Sequence, residues 1–122
     1  MSPNEFRKEL VNIMPNYAWT VHRTVSDAYL KATGTQSSEF NRISTLRVVR
    51  IEKDTYVRYE VKSAGYGLNA PWLHGNEDKT LARALRGLQS HYEAMAATYR
   101  SHAERMNFGR TLAHADISKA TS

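Results

Sequence analysis

The chain contains no cysteine. That excludes disulfides, thiolate nucleophiles and Cys-ligated metals. No apolar run approaches the roughly 18 residues of a membrane span. The start, Met1-Ser2-Pro3-Asn4-Glu5, lacks the basic and apolar regions of a secretory signal. These absences fit a protein of the cytoplasm with no membrane association. Proline occurs at positions 3, 15 and 71 only, so no proline interrupts a helix after Pro71. Two histidines spaced i, i+4 on a helix would announce a metal site. His22, His74, His91, His102 and His114 include no such pair. Gly65-Tyr66-Gly67 lacks the Lys-Ser/Thr that completes a phosphate loop, and is expected to be a turn. The sequence therefore calls for no metal, no cofactor and no catalytic residue. His74 with Glu77 and Asp78 is its one compact His/acid group, without a recognisable nucleophile.

Positive charge is what the chain has in excess. Seventeen Lys and Arg against 12 Asp and Glu leave a net charge of +5. A basic balance favours nucleic acid, a nucleoprotein or an acidic protein surface.

Leu81, Leu85, Leu88, Tyr92, Met95, Tyr99, His102 and Met106 recur at alternating spacings of four and three. This is the seam of one long helix from Lys79 to about Arg110. Earlier, Ser2-Pro3-Asn4-Glu5 combines an N-cap, a proline at N1 and a capping-box glutamate. It opens a short helix over residues 3 to 14, with Phe6, Leu10 and Ile13 on one face. Alternation predicts strands over Tyr17–Thr24, Ser44–Glu52 and Thr55–Ser63, with a shorter one at Tyr29–Thr33. Gly34 to Ser38 has the composition of a mobile loop, re-anchored by Phe40 and Ile43. Ala64 to Asp78, with three glycines and a proline, is expected to be a second loop. The apolar parity changes between Val48 and Val49, which implies either two buried faces or a bulge.

The expected architecture is α+β: a short N-terminal helix, a three- to four-stranded antiparallel sheet, and a long C-terminal helix packed on one face. One domain spans residues 1–112, followed by a flexible tail over 113–122. The sheet is too short to cover all of the long helix. Its distal part either pairs with a second copy, giving a homodimer, or is covered by helix 1 and the 34–43 loop.

Lys79, Arg83 and Arg86 share one helix face near the N-terminus, where the helix dipole also favours phosphate. Arg58, Lys62 and Tyr56, with Arg50 beside them, are expected on an exposed sheet face suited to charge and stacking contacts. Trp72, Tyr92, Met95, Tyr99 and Met106 are candidate protein-interface residues. For Trp72 the competing reading is a lid over the core.

The order helix, three antiparallel strands, helix resembles the double-stranded-RNA-binding domain. In that family basic residues at the start of the last helix span phosphates, and Lys79, Arg83 and Arg86 stand at the matching positions. Glu77 and Asp78 intrude there, the Gly-Pro-x-His loop is absent, and the last helix is several turns too long. A short, cysteine-free, single-domain chain without a catalytic signature is also similar to small phage and prophage accessory proteins, anti-CRISPR proteins among them. The expected function is a non-enzymatic module that binds nucleic acid or a host nucleoprotein complex. The alternative is an inhibitor or adaptor of mobile-element type acting by protein–protein binding.

Overall fold

A computed structural model describes residues 1–38, 41–67 and 69–121, with the backbone alone at residue 41 and over 111–121. The elements run α1 (Pro3–Ile13), β1 (Ala18–His22), β2 (Tyr29–Ser38), β3 (Asn41–Glu52), β4 (Val57–Ala64), β5 (Trp72–Asp78) and α2 (Leu81–Thr121). The fold is α+β, and the strands form one open antiparallel sheet in the order β1-β2-β3-β4-β5. Among the described residues no helix is long and apolar enough to cross a membrane.

The chain divides into two compact units, Met1–Leu88 and Gln89–Ser122. The first holds the sheet, α1 and the opening turns of α2. The second is formed by the rest of α2.

Local signals set α1. Ser2 Oγ accepts from the Glu5 N–H at 3.2 Å, and the Ser2 N–H donates to Glu5 Oε1 at 3.1 Å, a complete capping box. These bonds to Ser2 hold the Glu5 carboxyl below its ordinary value. Phe6 and Leu10 are fully buried.

Of two segments expected to be loops, the first lengthens β2 and the second supplies β5, so the sheet has five strands rather than three or four. Gly34 to Ser38 completes β2, with Gly34 paired to both Trp19 and Leu46. The glycine is there for space: a Cβ on Gly34 would lie 2.7 Å from the Trp19 ring. Trp19 thus lies across the β2 backbone, and its Nε1–H donates to the Met14 carbonyl at 3.1 Å. The second segment ends in β5, paired to β4 through Ser63–His74, Lys62–Gly75 and Val61–Asn76. Of the two expected anchors after β2, Phe40 lies outside the described residues and Ile43 is exposed.

The parity change in β3 is no bulge. Its register with β2 and β4 is continuous through Val48 and Val49, and both valines are buried on opposite faces. The inner face carries Trp19, Leu30, Ala32, Leu46, Val48, Tyr59 and Val61, all buried. Against it pack Phe6 and Leu10 of α1, with Leu81, Ala84, Leu85 and Leu88 of α2. Val49 sits on the outer face between Lys31 and Glu60, long side chains of the kind that bury aliphatic stems over an apolar neighbour.

Thr80 caps α2: its hydroxyl accepts from the Arg83 N–H at 3.2 Å. Asn76 joins strand to helix, its Nδ2 donating to the Ala84 carbonyl at 3.0 Å. A Cβ on Gly87 would collide with that amide. The mid-helix glycine is therefore a packing requirement.

Gly87→Ala is expected to destabilise the protein by about 1–3 kcal/mol through overpacking, although alanine is the better helix former. In an Asn76→Ala background the same change is expected to stabilise by about 1 kcal/mol, the helix-propensity gain alone. Urea unfolding of the four variants measures this coupling.

Candidate nucleic-acid interface

With both helices on the inner face, the outer face of the sheet is free of any element among the described residues of the first unit. Strand alternation and register place its side chains in rows. One row reads Thr20, Thr33, Arg47, Lys62, Gly75; the next reads His22, Lys31, Val49, Glu60, Glu77. Arg58 and Ile51 form a pair beyond them.

Arg47 and Lys62 are therefore direct cross-strand partners, with Cβ atoms about 5 Å apart. Like charges so placed repel and destabilise a sheet unless something screens them. Neither makes an ion pair among the described residues. The Arg47 Nε, like the Arg58 Nε, is buried without a hydrogen-bond partner among the described residues. Lys31, one strand over and one row away, is half-buried and also has no carboxylate partner among the described residues. Gly75 ends the Arg47–Lys62 row; a Cβ there would lie 3.2 Å from Lys62 Cγ, so the lysine stem runs across the glycine. Hydroxyls of Thr20 and Thr33 continue the row on the other side, and Thr33 Oγ1 lies 2.7 Å from His22 Nε2.

The carboxylates of this face are engaged by a different cation. Arg58 pairs with Glu60 at 3.1 Å and lies 3.8 Å from Glu77. Arg58 was expected among the free basic residues; two glutamates neutralise it. The face thus divides into a cationic part, Lys31, Arg47 and Lys62, and a charge-balanced part around Arg58.

The other expected residues do not converge on this face. Tyr56 precedes β4 and borders a shallow depression with Arg58, Glu77, Asp78 and Lys79, where two carboxylates offset two cations. Lys79, Arg83 and Arg86 are exposed, but Arg83 lies 3.6 Å from Asp78 Oδ1. The same carboxylate oxygen accepts from the Lys79 N–H at 2.6 Å. A negative group of the chain itself therefore occupies the helix N-terminus, where a phosphate was expected. Trp72, at the start of the edge strand β5, is 46% exposed beside an exposed Leu73, so it is not a closed lid over the core. In the second unit Tyr92 is half-buried, while Met95, Tyr99 and Met106 are exposed. His102, a member of the same seam, is exposed as well.

Among the described residues no cluster of His, Asp and Glu could hold a metal ion. The compact His74/Glu77/Asp78 group is divided by the pleat, with Glu77 on the outer face and His74 and Asp78 on the inner one.

Arg50 does not join the outer face. It faces inward, 8% exposed, instead of lying beside Arg58 and Lys62. Its guanidinium donates to Tyr59 Oη at 3.1 Å and to Glu52 Oε2 at 3.0 Å, and lies 5.8 Å from the Tyr59 ring centroid. Tyr59 in turn donates to Glu9 Oε2 of α1 at 3.2 Å. This chain of bonds satisfies a buried charge and ties α1 to the sheet. Burial disfavours the Arg50 charge, but the bonds to Glu52 and Tyr59 outweigh it and raise its pKa. The bond from Arg50 lowers the Glu52 pKa. Burial pushes the Tyr59 phenol above its ordinary value, against the opposing pull of Arg50.

No protein-family model matches the chain, and neither a curated protein nor a solved structure matches it significantly.

The raised Tyr59 pKa has a definite sign for stability. Above pH of about 10, the ordinary tyrosine value, the unfolded chain loses the phenolic proton while the folded chain retains it. Stability therefore falls as pH rises through that range. Urea unfolding at pH 8 and pH 10.5 is expected to show this loss, and Tyr59→Phe is expected to be less stable at pH 8 but to lack that component of the decline.

Proposed function

We propose that this protein is a non-enzymatic binding module that contacts nucleic acid, free or within a nucleoprotein complex, through the outer face of its sheet. The observation that carries the reading is the Arg47–Lys62 pair. Two cations face each other across neighbouring strands, neither paired to a carboxylate among the described residues, and Lys31 stands nearby. A bound polyanion relieves that repulsion and engages the half-buried Arg47 side chain. Phosphates bind there by charge neutralisation with release of counterions, and the Thr20 and Thr33 hydroxyls supply neutral donors of the kind that position a backbone. The net charge of +5 draws such a ligand in at long range. The face reads charge and shape; it offers no helix or ribbon to a major groove.

This relocates the expected interface. Lys62 stays in it, Lys31 and Arg47 join it, and Arg58, with its two glutamates, becomes its border. Lys79, Arg83 and Arg86 contribute to the general field rather than to the site.

A second reading has its own support. Trp72 and Leu73 are exposed on the edge strand β5, and an edge strand with exposed apolar residues suits an added strand from a protein partner. An inhibitor or adaptor of mobile-element type would use that edge.

Fluorescence anisotropy with labelled single-stranded and duplex oligonucleotides across a salt series tests the first reading. Binding is expected to weaken steeply with salt. The double variant Arg47→Ala/Lys62→Ala is expected to lower the magnitude of the log–log salt slope by about 2, one for each phosphate charge no longer neutralised. Arg58→Ala is expected to leave the slope nearly unchanged. Absence of binding at low salt, or an unchanged slope in the double variant, overturns the assignment.

A further inference from the structure

The Gln89–Ser122 unit carries a seam that the sheet-face reading does not use. Tyr92, Met95, Tyr99, His102 and Met106 alternate at spacings of three and four. This is the a/d pattern of a two-helix pair, with Gly109 at the next d position. Met95 is 37% exposed, Tyr99 and Met106 are each 65% exposed, and His102 is exposed too. A row of large side chains open along one helix face is uncommon in a chain otherwise so polar.

We propose that this face pairs with the same face of a second copy, the two helices running antiparallel. Charge chooses the direction. In a parallel pair each g residue faces the e residue five positions further along the partner. Arg105 at g would then meet Arg110 at e, twice per dimer by symmetry. In an antiparallel pair e faces e and g faces g. With Tyr99 packed against His102 of the partner copy, Ala96 faces Ala103, Gln89 faces Arg110, and Thr98 faces Arg105. No like charges are opposed.

The same register pairs Met95 with Met106 and Tyr92 with Gly109. It engages the whole seam from 92 to 109; a shift by one heptad leaves part of it uncovered. The glycine suits its partner, since nothing lies within 4 Å of where its Cβ would be, which leaves room for a tyrosine ring. Small alanines at Ala96 and Ala103 let the helices approach closely on that side. The seam holds Tyr, Met and His where stable coiled coils hold Leu and Ile, so the pair forms with a concentration-dependent equilibrium.

The cysteine-free sequence makes a direct test available. Met95→Cys and Met106→Cys place single thiols at exposed positions, and each variant is prepared separately in the full chain. Mild oxidation of a mixture is expected to yield the Met95→Cys–Met106→Cys heterodimer as the main disulfide product. Each variant oxidised alone is expected to remain largely monomeric on a non-reducing gel. Self-linkage of each variant alone overturns the antiparallel direction, since a parallel pair brings identical positions together. Sedimentation equilibrium of the unmodified protein is expected to show a mass rising from 13.9 kDa toward twice that value with concentration. Tyr99→Glu/Met106→Glu is expected to weaken the dimer at least tenfold while circular dichroism retains the helix signal. A strictly monomeric mass at every concentration overturns the proposal.

Discussion

The register of β3 against its two neighbours is the constraint on which the first unit depends. Pairing Val48 with Ala32 and Val61 turns Leu46, Val48 and Arg50 inward and sends Arg47 and Val49 outward. A slip by one residue would exchange these sets. It would bury Arg47 without partners and expose the Arg50 guanidinium that Tyr59 and Glu52 now satisfy. Arg50 therefore acts as a marker of register. Its bonds form only in the observed pairing, and through Tyr59 and Glu9 they fix α1 over the same face.

From that register the functional asymmetry follows. Both helices cover the inner face because Phe6, Leu10, Leu81, Ala84, Leu85 and Leu88 have only that surface to pack against. The outer face remains polar, and the same pairing that builds the core sets Arg47 opposite Lys62. Arg58 engages Glu60 and Glu77, so the nearby negative charge does not quench that pair. The sheet thus sets two like charges opposite each other near its centre without an ion-pair partner among the described residues, an arrangement that costs stability and is consistent with a site where an anion is bound.

Much of the fold was legible where signals are local. Ser2, Pro3 and Glu5 announce α1; alternation announces β4; the four-three spacing announces α2. The missed parts depend on tertiary contacts. Gly34 and the polar residues after it have loop composition, yet the glycine is required beneath Trp19 and the polar residues pair with the start of β3. Gly75 and Asn76 likewise conceal β5, because one runs under Lys62 and the other bonds a helix carbonyl. Of the candidate site, Lys62 was legible from strand alternation. Arg47 and Arg50 were not separable, because Val48 and Val49 leave the parity of β3 undecided until its partners are known. The acidic neighbours of Arg58 and Arg83 were visible in the sequence, but their pairing required the β4–β5 register and the turn into α2.

The proposed anion site lies on the outer sheet face and not at the start of α2. Titration of the isotopically labelled protein with a short oligonucleotide, followed by amide and side-chain NMR shifts, addresses it residue by residue. The largest shifts are expected at Lys31, Arg47 and Lys62, the Arg47 guanidinium resonances included, and small shifts at Lys79, Arg83 and Arg86. Shifts concentrated on those three helix residues, with Arg47 unmoved, would contradict it.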